Sequence, residues 1–217
     1  MSEPDLVPAW RLHEQEARRA DLLAAARAVF GARGYHGATV EDIAAAADVG
    51  KGTVYLDFPG GKAALLEAVL DDHLRALRAL VVQAFGCGDG AARYRFWTLA
   101  LSAASYFRHH PDLLRVHARE VPRLLASGEG GEAAARLGRL TDELVGVVAP
   151  TLEAEGGVGA VPCTVAAHHL LATLFGHLTA LGLQPATDAG ALARGAAPVA
   201  VADTLTALVF DGIAARP

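Results

Sequence analysis

The sequence predicts an all-α fold, and three observations carry that prediction. Alanine, leucine and valine dominate a 217-residue chain in which hydrophobic residues make up 53%, enough apolar surface for a packed core. Alternating β-branched or aromatic runs are scarce, so the period-two pattern of a half-buried strand is missing. The apolar residues instead recur at helical spacing in successive stretches separated by glycine- or proline-rich breaks.

In chain order, residues 1–13 read as a flexible arm and a first helix runs over 14–33, with Leu22, Leu23, Ala26 and Phe30 at helical spacing and Gly34 as its terminal glycine. Thr39-Val40-Glu41-Asp42 opens a short helix over 40–47, because the threonine hydroxyl can accept first-turn N–H groups while the aspartate reaches back. Asp48-Val49-Gly50 ends it, and another short helix covers 51–57. Longer helices are expected over 62–85, 91–109, 112–126, 132–155, 162–183 and 198–215. The breaks between them are GCGDG, SGEGG, EGGVGAVP and QPATDAGALARG.

Two classes of protein are set aside early. Cys87 and Cys163 form neither a disulfide framework nor a zinc spacing, and the acidic, proline-bearing start has no signal-peptide pattern, so a cytoplasmic location is expected. The run over 163–183 carries no Asp, Glu, Lys or Arg, but it holds His168, His169 and His177 plus three threonines and lacks basic or aromatic flanks. A helix buried inside protein fits it better than a membrane span.

The stretch DVGKGTVYLDF at 48–58 carries chemistry. Two short helices joined by a three-residue turn and preceded by a longer helix form a helix-turn-helix. The second is too short to be stable alone, so Val49, Val54 and Phe58 must face inward with Ile43 behind them. Lys51, Gly52, Thr53 and Tyr55 are then free to point outward. Glycine and threonine are poor choices for a helix that need only be helical. They suit a helix N-terminus whose N–H groups and backbone approach a phosphate-bearing duplex closely.

Residues 17–70 resemble the N-terminal domain of TetR-type transcriptional regulators. Ala25, Phe30, Gly34, Tyr35, Thr39, Ile43-Ala44, Val49, Gly52-Thr53, Tyr55 and Phe58 fall in the family's order. The resemblance implies that Thr39, Tyr55 and Lys62 touch phosphates, while Lys51, Gly52 and Thr53 enter the major groove. This chain departs from the family twice. Asp48 stands where glycine is common in the turn, and aspartate tolerates the left-handed conformation. Lys62 follows Phe58 by four residues where three are usual. The implied organisation is a DNA-binding unit over 14–61 and a helical effector-binding and dimerisation unit over 62–217.

Charge does not add to this reading. Residues 14–62 hold six bases (Arg18, Arg19, Arg27, Arg33, Lys51, Lys62) against seven acids (Glu14, Glu16, Asp21, Glu41, Asp42, Asp48, Asp57). A basic footprint is therefore absent, and a shallow salt dependence is expected.

In the rest of the chain, Leu170, Leu174, Leu178 and Leu181 form one seam and Val201, Leu205, Leu208 and Val209 another. Helices so poor in charge predict a homodimer in which 162–183 and 198–215 of each protomer build a four-helix bundle, and the family resemblance implies the same. Two recognition helices then address a palindromic operator in double-stranded DNA. Tyr94, Trp97, Leu101, Phe107, His117 and Phe175 are the candidate lining of an apolar effector cavity. His109-His110, His117, His168-His169 and His177 show no metal spacing, and no nucleophile elbow, phosphate loop or HExxH is present. No metal, cofactor or enzymatic activity is expected. The expected function is a DNA-binding regulator, a repressor released by a small apolar or aromatic effector. The alternative is a helical ligand- or partner-binding protein whose helix-turn-helix no longer engages DNA.

Overall fold

The computed structural model describes residues 9–86, 90–126, 131–157, 159–183 and 197–211. The elements are α1 (Ala9–Gly37), α2 (Val40–Ala46), α3 (Lys51–Asp57), α4 (Gly61–Val81), a π-helical turn (Val82–Gly86), α5 (Ala92–His109), α6 (Pro111–Ala126), α7 (Gly131–Ala154), α8 (Cys163–Leu183) and α9 (Pro198–Phe210). The all-helical expectation holds. No described helix is long and apolar enough to cross a membrane.

The chain divides into two compact units, Met1–Asp71 and Asp72–Pro217, with the division inside α4. In the first unit Leu22, Ala26 and Phe30 of α1, Ile43 of α2, Val54 of α3 and Leu65 of α4 are fully buried. The helical spacing of these residues aims them at one interior.

The expected arm is shorter than the sequence suggested. Residues 9–13 belong to α1, whose alanine, leucine and arginine content favours helix, while residues 1–8 lie outside the described residues. Gly34, with φ 69° and ψ 170°, interrupts α1, and a further turn continues to Gly37.

In the second unit α5 packs on α9, while α6 and α7 both pack on α8. Phe96, Leu99, Ala100, Ala103 and Phe107 of α5 meet Leu144 and Val148 of α7, Leu170, Leu174 and Leu178 of α8 and Leu205 of α9 in one apolar core. This corrects the expected dimer seam. Leu170, Leu174 and Leu178 are already covered within their own protomer, and the side chain of Leu181 lies outside the described residues. A helix without charges has no polar face to reveal which side is inward. The open side of α8 is Val165, His169, Ala172, Gly176 and Ala180, and on α9 Val199, Ala200, Thr204, Ala207 and Leu208 are exposed.

Candidate nucleic-acid interface and effector core

The first unit presents α3 on a built support. Val54 and Phe58 are buried behind it, with Ile43 of α2 beneath. Its C-terminal end is gripped from α1. Arg18 Nε donates to Asp57 Oδ2 at 2.8 Å and Arg18 Nη2 to Oδ1 at 3.2 Å. Arg19 donates to the Asp57 carbonyl at 3.0 Å and lays its guanidinium 4.1 Å from the centre of the Phe58 ring. A helix of seven residues could not persist without such supports.

The turn before α3 forms as the sequence suggested. Asp48 has φ 53°, the one non-glycine positive φ among the described residues. Thr39 caps α2: Asp42 N–H donates to the Thr39 hydroxyl at 3.1 Å, and Thr39 N–H donates to Asp42 Oδ2 at 3.1 Å. The hydroxyl itself also donates to Asp42 Oδ2, at 2.8 Å. That bond is the main reason the Asp42 carboxyl is held below its ordinary range, with Arg33 at 2.7 Å contributing.

The sequence-nominated residues lie as follows. Lys51 and Gly52 are exposed on the front of α3, Tyr55 is 43% exposed, and Thr53 is half-buried with its N–H bonded to the Gly50 carbonyl at 2.9 Å. No atom of the chain lies within 4 Å of where a Cβ on Gly52 would stand, once its chain neighbours and its own helix backbone are set aside. The protein's packing therefore gives no reason for glycine at this position.

Gly61 is different. It has φ +58°, and a Cβ there would stand 2.9 Å from Cε1 of Tyr55. The Pro59-Gly60-Gly61 turn thus lets the Tyr55 ring lie against the backbone at the start of α4. Leu56, 78% exposed, was missed by the sequence reading. The signal was present, since the inward stripe of Val54 and Phe58 leaves Leu56 on the opposite side.

The two lysines of this unit have partners within the chain. Lys51 Nζ is bonded to Glu41 Oε1, which holds the Glu41 carboxyl below and the Lys51 ammonium above their ordinary values. Lys62, expected at a phosphate, is turned inward. Its ammonium donates to the carbonyls of Tyr35 at 2.9 Å and Ala38 at 3.0 Å and sits 4.4 Å from the centre of the Tyr35 ring. The ammonium, at the first turn of α4, has three donors to offer to these carbonyl oxygens.

The second unit separates the six expected effector residues. Phe107, His117 and Phe175 come together: the His117 ring centre is 6.0 Å from that of Phe107 and 6.3 Å from that of Phe175. Tyr94 and Trp97 lie apart from them. Tyr94 is 63% exposed and stacks on Trp97, whose indole N–H donates to Asp203 of α9 at 2.7 Å. Helical spacing had put Tyr94, Trp97 and Leu101 on one stripe, but that stripe turns toward α9 and solvent. The partly buried Leu101 packs at the margin of the core.

His73 was missed. It is fully buried, with Nε2 3.0 Å from His117 Nδ1 and Nδ1 3.4 Å from the Tyr106 hydroxyl. Burial disfavours the charged imidazole, lowering His73 to about 3 and His117 to about 4. Two neutral rings satisfy this ladder: one nitrogen of the contact carries the proton and the other accepts it. Among the described residues no group of three or more side chains could hold a metal ion.

Residues 22–69 match the family described as "Bacterial regulatory proteins, tetR family". Residues 22–69 carry the N-terminal domain of that family. The matched region spans α2, the turn and α3, while Arg18 and Arg19 lie just before it. The match supports a role in DNA-binding transcriptional regulation.

Solved structures share its fold. The transcriptional regulator FadR from Bacillus subtilis, in complex with stearoyl-CoA, aligns with a TM-score of 0.71 at 17% identity over 90% of this chain and 99% of that one. The fatty acid degradation regulator FadR from Bacillus halodurans gives 0.71 at 18% identity over 92% and 97%. The ketosteroid transcriptional regulator KstR2 of Mycobacterium tuberculosis gives 0.66 at 21% identity over 92% and 96%. No curated protein matches the chain significantly by sequence.

Proposed function

We propose that this chain is a cytoplasmic, homodimeric repressor of the TetR family that leaves a palindromic operator when a small apolar effector binds its second unit. The observation that carries the DNA arm of this reading is Gly52. It costs the short α3 about 0.8–1.0 kcal/mol relative to alanine, and nothing in its own protomer crowds the site. Close approach by a duplex accounts for it. In this reading Lys51, Gly52 and Thr53 enter the major groove and Tyr55 contacts a phosphate. Thr39 exchanges its bond to Asp42 for another phosphate, and Lys62 braces the backbone that presents Thr39.

Dimerisation through α8 and α9 is supported by the exposed apolar and small residues Val165, Ala172 and Gly176 on one helix and Val199 and Leu208 on the other. The effector reading rests on Phe107, His117 and Phe175, an apolar setting with a polar anchor. The similar folds that carry stearoyl-CoA or are described as ketosteroid regulators suit an acyl or polycyclic ligand. Such a ligand releases the operator only if it binds the DNA-incompetent arrangement more tightly. No catalytic step is assigned to the protein.

The test is selection of binding duplexes from random DNA, followed by release with acyl-CoA and steroid libraries. Two inverted half-sites about 34–36 Å apart, or a related spacing, are expected. A folded dimer that retains no duplex would favour the alternative, a helical protein that binds a ligand or partner without engaging DNA.

A further inference from the structure

We propose that Glu41 is a specificity-determining residue of the DNA interface, forming with Lys51 a paired acceptor and donor that reads a G·C base pair in each half-site and suppresses binding elsewhere. This rests on the DNA-binding reading above and extends it to a residue of α2.

The observation is the ion pair itself. Glu41 lies in the first turn of α2, Lys51 opens α3, and Lys51 Nζ is bonded to Glu41 Oε1 with both side chains about half exposed, at 53% for Lys51 and 60% for Glu41. Two other ion pairs of this unit have evident structural work. Asp57 is only 3% exposed and anchors α3 to Arg18, and Asp42 closes the cap on α2 while meeting Arg33. Glu41 takes no part in the Thr39–Asp42 capping box and does not enter the core, although its carboxylate also meets its own backbone N–H. Exposed pairs contribute little to stability, so fold maintenance does not explain this one.

Its consequence at a duplex is chemical. Free Lys51 would be attracted to any phosphate, because duplex DNA carries one charge per about 1.7 Å of axis. Paired with Glu41 it presents no net charge, and separating the pair leaves a carboxylate facing a polyanion. The separation is offset where the major groove offers both an acceptor for the ammonium and a donor for the carboxylate. A G·C pair does so, with guanine O6 and N7 for lysine and the cytosine N4 amino group for glutamate. The absence of a basic excess over residues 14–62 fits a reader that limits indiscriminate binding.

The experiment compares the full-length wild type with Glu41→Gln on the selected operator and on a random duplex across a salt series. Glu41→Gln keeps the size of the side chain and removes the charge. Random-duplex affinity is expected to rise roughly 3- to 10-fold, with a salt slope steeper by about 0.9, one phosphate's worth of released counterions. Operator affinity should change less, so the operator-to-random ratio falls. A reversed pair, Glu41→Lys with Lys51→Glu, restores the ion pair for folding and should not recover the wild-type operator.

An unchanged ratio and slope in Glu41→Gln would overturn the proposal. So would equal weakening on both duplexes, or recovery of the operator by the reversed pair. If the wild type itself retains no duplex, the DNA-binding reading fails first and takes this inference with it.

Discussion

Arg18 of α1 and Asp57 at the end of α3 meet through two parallel N–H···O bonds, with the carboxylate only 3% exposed and the guanidinium 36% exposed. The pair fixes the far end of the reading helix to the longest helix of its unit. Removing the arginine alone would leave a covered carboxylate without its partner, which is costlier than removing both charges. Arg18→Met, which keeps an apolar stem, should therefore lower Tm more than Arg33→Met, whose partner Asp42 is more exposed and keeps its bonds from Thr39. Adding Asp57→Leu to Arg18→Met should recover much of the loss. Thermal denaturation of these three variants and of Asp57→Leu alone checks this, and strictly additive losses would contradict it.

Gly52→Ala separates folding from reading. A methyl group there meets open space, so the helix should gain up to about 1 kcal/mol in urea denaturation. Operator affinity should fall at least tenfold by fluorescence anisotropy, because the methyl stands where the duplex approaches. Stabilisation with unchanged affinity would mean that the duplex never comes close to this position.

Gly61→Ala should have the opposite balance. Its φ of +58° is left-handed, and the added Cβ would meet the Tyr55 ring at 2.9 Å. The backbone contribution alone should cost about 1–2 kcal/mol in urea denaturation. Displacement of Tyr55 should also weaken phosphate contact across all sequences alike, so the operator-to-random ratio stays constant while both affinities drop.

The helix-turn-helix was legible because its signals are local. The Thr39 cap, the Asp48 turn and the inward set Val49, Val54 and Phe58 with Ile43 each follow from a few adjacent residues, and the structure realises them except that Val49 is only half-buried. What escaped the sequence is set by tertiary packing. His73 sits in the segment LDDHLRALR, whose charges suggest a solvated helix, yet its own face is fully buried against Tyr106, Phe107 and His117. Lys62 was placed by family resemblance at a phosphate. Only the path of the chain after Gly34 brings the Tyr35 and Ala38 carbonyls within its reach. The leucines of α8 show the same limit, since their spacing defines a stripe without saying what covers it.

The His73–His117 contact makes the second unit acid-sensitive. Burial holds both rings neutral, with folded-state values of about 3 and about 4 against 6.5 for the ordinary imidazole. Above pH 6.5 neither state binds these protons and the full stability is present. As pH falls below 6.5 the unfolded chain takes up two protons that the folded chain refuses, so unfolding is favoured progressively until the folded values are reached. The slope is about 1.4 kcal/mol per pH unit for each histidine. His177, also lowered by burial, adds in the same direction. The carboxyls of Glu41 and Asp42 have depressed values and lose their contribution only at lower pH, so the interval from pH 6.5 to 5 isolates the histidines. Urea denaturation at half-unit steps should show this steep fall in the wild type. The double variant His73→Leu/His117→Phe, which removes both protonation sites while keeping the core filled, should show a much shallower one. An equally steep fall in the variant would place the acid sensitivity elsewhere.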